Sequence, residues 1–112
     1  MDSRFLWGMV ETLILEVVSR GPSYGYEIVQ RVFSQSGGYF DLKEGSLYPA
    51  LHRLEQQKLL TSFWKEVDGR RRKYYELSAA GKKALSARRV EWKAFSRGVE
   101  GILDAPLVVP AL

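Results

Sequence analysis

Hydrophobic positions along the chain first follow a helical period, then an alternating one, then a helical one again. From Ser3 to Ser19 the apolar residues Phe5, Leu6, Met9, Val10, Leu13, Ile14, Val17 and Val18 recur three and four apart, which is one broad helix face. Arg20-Gly21-Pro22 stops that helix, because Gly suits its C-terminal cap and Pro cannot extend it. Ser23 reads as the N-cap of a second helix to about residue 35, with Ile28, Val29, Val32 and Phe33 as its buried stripe and Tyr26 in the core. Ser36-Gly37-Gly38 ends it, and Tyr39 to Lys43 is a connector or a brief strand. Ser46 then caps a third helix to about residue 57, with Pro49 in its first turn. Leu47, Leu51 and Leu54 face inward. Ser46, Pro49, Ala50 and Arg53 take the opposite side, with His52 and Gln56 beside them.

The period changes after Lys58. Leu59 to Val67 and Arg70 to Leu77 are rich in β-branched and aromatic residues, and Asp68-Gly69 between them signals a two-residue type I′ turn. That turn dictates the register: Glu66 faces Arg71, Trp64 faces Lys73, Phe63 faces Tyr74, and Lys65 faces Arg72. Two cations directly opposite are unfavourable in a hairpin, and make more sense with an anion nearby. Ser78 caps a last helix from Ala79 to about Leu103. Its Leu85, Trp92, Phe95, Val99 and Ile102 form a heptad-like seam with Arg88 in the one polar slot. A helix of about 25 residues cannot bury such a stripe against one small domain, so the seam reads as a subunit interface. The expected fold is mostly α with a small β-hairpin.

Composition narrows the chemistry. The 112 residues make one domain's worth of chain, short enough to gain much from a partner subunit. There is no cysteine, which removes disulfides, thiolate metal sites and thiol catalysis. His52 is the single histidine, so no metal and no cofactor is expected. Asp41 and Glu44 flank a helix start, where its dipole accounts for acidic residues without catalysis. The first long apolar stretch is interrupted by Glu11 and Glu16, too charged to span a bilayer, and the chain reads as cytoplasmic. The net charge of +4 is uneven. Residues 1–69 hold 7 basic and 9 acidic residues, residues 70–97 hold 10 and 2, and the remainder holds Glu100 and Asp104. One strongly basic segment in a near-neutral chain suggests a surface that faces a polyanion.

Three helices, a hairpin and a long helix form the order of a winged helix-turn-helix domain with a C-terminal extension. In such a domain the third helix enters the major groove of double-stranded DNA, and a basic hairpin tip reaches phosphate or the minor groove. The residues also carry a specific resemblance. Gly21-Pro22-Ser23-Tyr24-Gly25-Tyr26-Glu27-Ile28, then Glu44-Gly45-Ser46-Leu47-Tyr48-Pro49-Ala50-Leu51-His52-Arg53-Leu54-Glu55, then Gly69-Arg70-Arg71-Arg72-Lys73-Tyr74-Tyr75-Glu76-Leu77-Ser78-Ala79-Ala80-Gly81 resemble the PadR family of bacterial transcriptional regulators in order and spacing. The length resembles the short subfamily, whose single C-terminal helix dimerises with the first helix of the other subunit. The resemblance implies a homodimeric repressor on pseudo-palindromic operator DNA, relieved in some members by a small aromatic or cationic ligand near the dimer interface. The competing reading is a winged-helix module that acts through protein partners, without ligand sensing. Lys58 stands where the family usually has glycine, and residues 104–112 match nothing in it.

The candidate DNA-binding residues are Ser23, Tyr24, Ser46, Tyr48, Pro49, His52, Arg53, Lys65, Arg70, Arg71, Arg72 and Lys73. Arg53 suits a guanine edge or a phosphate, or a surface ion pair instead. Ser46 serves as a cap or as a phosphate donor. The Tyr48 ring packs inward while its hydroxyl reaches out. The wing cations would add sequence-independent affinity. Trp7 and Trp92 are ordinary interface packing or an aromatic clamp on a planar ligand. Met9, Val10 and Leu13 with Leu85, Trp92, Phe95, Val99 and Ile102 form the expected dimer interface. The expected division is 1–77 for the winged domain, 78–103 for the dimerisation helix and 104–112 as an unplaced tail.

Overall fold

The computed structural model describes the backbone of residues 3–105 and the side chains of residues 8–105. The Trp7 side chain and the tail beyond residue 105 therefore lie outside the described residues. The order is α1 (Ser3–Val18), β1 (Ser23–Tyr24), α2 (Gly25–Gln35), α3 (Glu44–Gln56), β2 (Leu60–Val67), β3 (Arg70–Leu77) and α4 (Ala79–Leu103). This is a mostly helical winged fold with a small antiparallel sheet in the order β1-β3-β2. Ile14 and Leu15 of α1, Ile28 of α2, Leu47, Leu51 and Leu54 of α3 and Leu60 of β2 are fully buried and form its centre. Among the described residues no helix is long and apolar enough to cross a membrane.

Local chemistry sets the turns. Asp68 and Gly69 both take positive φ, 52° and 76°, the backbone of a type I′ hairpin. The resulting register pairs Glu66 with Arg71, Lys65 with Arg72, Trp64 with Lys73 and Phe63 with Tyr74, as the turn residues predict. Lys58 sits at φ 62°. Its N–H donates to the Glu55 carbonyl at 2.9 Å and the Leu59 N–H to the Leu54 carbonyl at 3.0 Å. That is the Schellman ending of a helix, with lysine where glycine would be unstrained. Ser78 caps α4, its hydroxyl accepting from the Gly81 N–H at 2.9 Å. Gly81 is required there, because a Cβ on it would lie 2.1 Å from the Leu59 carbonyl oxygen.

Several expectations from periodicity are corrected. Ser23 does not cap α2: it lies in β1, paired with Tyr75 of β3, and Tyr24 takes the N-cap position. The third strand is this segment, and residues 39–43 are the connector, the first of the two readings given for them. Helix α3 starts at Glu44 with Lys43 as its N-cap, which places Ser46 one turn inside and Pro49 beyond the first turn. Ala50, expected on the outer side of α3, is fully buried. A helix packed by α1 on one side and the sheet on the other has a wider inner face than its leucines mark. Phe33 and Tyr26, expected inside, are 46% and 61% exposed.

Candidate nucleic-acid interface

The outward side of α3 carries Ser46, Tyr48, Pro49 and His52, all exposed; Ser46, Pro49 and His52 are spaced by three and Tyr48 lies four before His52, hence on neighbouring turns. Beside it runs a groove of about 540 Å³ whose lining includes Tyr24, Tyr26, Tyr48, Trp64 and Arg72. One surface thus joins the start of α2, the outer side of α3 and the hairpin. Gly25 shapes the junction: a Cβ there would come within 3.0 Å of the Tyr48 hydroxyl. The tyrosine is half exposed, and it is its hydroxyl end that lies against the glycine, not the outward-reaching hydroxyl over a buried ring that was expected.

The hairpin holds its cations on aromatic rings. The Arg72 guanidinium lies 4.5 Å from the Tyr24 ring centre, and Arg71 lies 5.0 Å from Trp64. The Lys65 ammonium is 5.7 Å from the Tyr74 ring, which itself stacks on Phe63 at 5.6 Å. Such contacts orient a cation without neutralising it. They also resolve the Lys65–Arg72 juxtaposition, since each of the two cations has a different tyrosine. Arg70, Arg71 and Lys65 are exposed and Arg72 partly so. Tyr26 and Trp64 are surface residues that periodicity did not single out. For Trp64 the available signal was the grouping of aromatic and basic residues on both hairpin strands, Phe63-Trp64-Lys65 on one and Arg70 to Tyr75 on the other.

Two candidates, Ser23 and Arg53, leave this surface, and a third, Lys73, stays on its groove but is held by a carboxylate. Ser23 is fully buried; its hydroxyl donates to the Gly21 carbonyl at 3.1 Å and accepts from Arg31 Nη1 at 3.2 Å. A phosphate cannot reach it. Lys73 donates to Glu55 Oε1 at 3.1 Å, and Ser62 donates to the other oxygen at 2.9 Å. Glu55 thereby fastens the hairpin base to α3, and its hydrogen bond holds the Lys73 ammonium above its usual pKa. Burial raises the Tyr75 hydroxyl in the same place. Arg53 turns away from the outer side of α3: its Nε donates to Glu11 Oε1 at 2.8 Å.

Glu11 is a buried carboxylate on α1 that serves two helices. Besides Arg53 it faces Arg88 of α4, with Nη2 3.6 Å from its other oxygen. Arg88 Nη1 is buried and has no partner among the described residues. Leaving a charged donor unpaired in this way costs about 1–3 kcal/mol or more. One turn on, Arg89 grips Glu16 with two hydrogen bonds of 2.7 Å. That contact holds the Glu16 carboxyl below its usual range.

These ion pairs and Leu85, which is buried, bind the first turns of α4 to α1. Val10 is buried in the same core. Leu85 and Val10 thus belong to the chain's own interior, because α4 folds back on α1 before it projects away. Beyond Arg88 the seam is uncovered: Trp92, Phe95, Val99 and Ile102 are exposed, and Met9 and Leu13 are partly so. Trp92 and Phe95 stack with ring centres 5.8 Å apart. With Gly8, Met9, Thr12, Arg88 and Glu91 they line a groove of about 460 Å³ between α1 and α4.

Residues 14–87 match the model of the PadR-like transcriptional regulator family. The chain is similar to the transcriptional regulator Rv3488 of Mycobacterium tuberculosis, 42% identical over 62 residues that span 55% of this chain and 58% of the relative. In structure it resembles smu.1704 of Streptococcus mutans, at 37% identity and TM-score 0.78 over 90% of this chain and 92% of the other. It also resembles the PadR-like transcriptional regulator BC4206 of Bacillus cereus, at 30% identity and TM-score 0.80 over 92% and 99% of the two chains.

Proposed function

The chain belongs to the PadR-like family of transcriptional regulators, and on that premise we propose that it is a homodimeric repressor of pseudo-palindromic operator DNA. The observation that carries the reading is the continuous surface of α3, the start of α2 and the hairpin, lined by rings that hold unneutralised arginines. Ser46, Tyr48, Pro49 and His52 approach base edges in the major groove. Lys65, Arg70, Arg71 and Arg72 meet phosphates, and Tyr24 supports Arg72. Residues 1–77 form the DNA-reading unit and residues 78–103 the dimerisation helix. Two copies joined by Trp92, Phe95, Val99, Ile102, Met9 and Leu13 present their α3 helices about one DNA turn apart, on the order of 34–36 Å. A planar aromatic or cationic compound in the α1–α4 groove relieves repression.

The test is fluorescence anisotropy against an operator that the protein itself selects from a random DNA pool. Affinity falls linearly in log–log form with salt, by about 0.9 per phosphate neutralised. Lys65→Ala with Arg70→Ala and Arg71→Ala flattens that dependence and weakens all sequences alike. An unchanged slope would remove the hairpin from the interface. Sedimentation of Val99→Asp as a monomer, against a dimeric parent, checks the seam.

A further inference from the structure

We infer that Glu11 sets the distance between the two half-sites that a dimer reads, by fixing the angle at which α4 leaves the winged domain. The inference rests on the proposed function for the dimer and its palindromic operator, and adds the positioning residue that determines operator spacing.

Helix α4 is a lever with a short base. Its start is pinned to the foot of the hairpin: the Ser78 hydroxyl donates to the Lys58 carbonyl at 2.6 Å, and Gly81 lies against the Leu59 carbonyl. Leu85 is buried one turn on. Arg88 and Arg89 then meet the α1 carboxylates Glu11 and Glu16. Residues 90–103 continue the helix for about 21 Å, with Trp92, Phe95, Val99 and Ile102 exposed. A tilt of roughly 10° at Arg89 moves the far end by about 4 Å, close to the rise of one base pair, about 3.4 Å. The partner subunit grips that exposed seam, so the tilt passes into the separation of the two α3 helices.

Glu11 refers this lever to α3. It is 8% exposed and has one oxygen for each helix. Oε1 accepts from Arg53 Nε of α3 at 2.8 Å, and Oε2 faces Arg88 Nη2 of α4 at 3.6 Å. Arg53 thereby aims the second oxygen at Arg88. A carboxylate serves two guanidiniums at once, whereas an amide in its place has a single acceptor oxygen. The Arg89–Glu16 pair is exposed and weakened by water. Glu11 acts where water is excluded and charged contacts are stronger, so it holds the angle more firmly.

The test is a set of duplexes carrying two copies of the half-site that the parent selects, their separation varied one base pair at a time. Affinity is read by fluorescence anisotropy, with melting curves and sedimentation to establish that each variant is folded and dimeric. The parent should prefer one separation and bind its neighbours about tenfold more weakly, the scale of one mismatched base pair. Glu11→Gln should reduce that preference to about threefold or less while selecting the same half-site. Arg88→Gln should do the same, and the double variant should be no broader than either, because both cut one link. Arg89→Ala should lower the preference only slightly. Should Glu11→Gln be unfolded, the contrast between Arg88→Gln and Arg89→Ala decides the matter.

A parent-like preference in Glu11→Gln or in Arg88→Gln overturns the inference. So does a changed half-site in Glu11→Gln, which would place its effect on how α3 meets bases, and so does a double variant broader than both singles. A parent that binds a single half-site as tightly as any pair refutes the dimeric reading itself, and the spacing role with it. A parent with one preferred separation upholds that reading whatever Glu11 does.

Discussion

The hairpin and the α1–α4 junction both gather arginines, yet they treat them in opposite ways. On the hairpin, Arg71 and Arg72 lie over Trp64 and Tyr24. A ring fixes where a guanidinium points and leaves its charge available to a polyanion. At the junction, Arg53, Arg88 and Arg89 are held by Glu11 and Glu16. A carboxylate fixes the side chain and neutralises it. A count of basic residues cannot separate the two, and the +8 balance of residues 70–97 mixes both kinds. The partner, not the arginine, decides whether a cation recruits DNA or joins helices.

The largest expected effect tests the junction. Glu11→Ala leaves two partly buried guanidiniums without their carboxylate, and should cost about 3–5 kcal/mol in chemical denaturation. Arg71→Ala, which removes only a cation from a ring, should cost less than about 1 kcal/mol. Comparable losses would erase the distinction between the regions. Next in size is Gly81→Ala. The new methyl meets the Leu59 backbone, so α4 must shift off the hairpin base, at about 1–3 kcal/mol of stability as in other overpacked sites. A melting curve like that of the parent would show that α4 is not pinned there.

Arg53 divides the regions within one helix. Arg53→Ala should lower the melting temperature and leave base preference intact, whereas His52→Ala should do the reverse, relaxing preference by about 1 kcal/mol at one position per half-site. Parallel selections from a random DNA pool would separate them. The smallest effect is on pH. Arg89 lowers the Glu16 pKa in the folded state, so its contribution is complete above the unfolded value near 4.5 and is lost as pH falls through the lower folded value. The parent should therefore lose stability more steeply than Arg89→Ala in acid, with parallel curves at neutral pH. Because Arg89 is exposed, added salt should shrink the difference.

Much of the architecture was legible in the order of residues. Asp68-Gly69 specified the hairpin and its register, since few residues take two successive positive φ values. Ser78 marked the start of α4, and the seam beyond Arg88 stood out as too long for one small domain. Errors collected where a residue's role depends on what packs over it. Ser23 looked like a cap because serine often is one, but β3 lies beside it and draws it into a strand. Tyr26 and Phe33 looked like core because they are apolar and correctly spaced for α2, yet the neighbouring helices do not cover them. Val10 and Leu85 looked like interface because they continue its periodicity, yet α4 closes over α1 at that level.

The PadR-like relatives and the winged order agree with one another because both rest on short-range patterns: turns, caps and helix faces written within a few residues. The fate of each charge is not written that way. Arg53 and Glu11 are 42 residues apart, and Arg89 and Glu16 are 73 apart. Periodicity tells which face of a helix is apolar. It cannot tell which arginine on the other face meets a carboxylate from elsewhere in the chain and which meets only a ring, because that depends on how whole helices are placed in space.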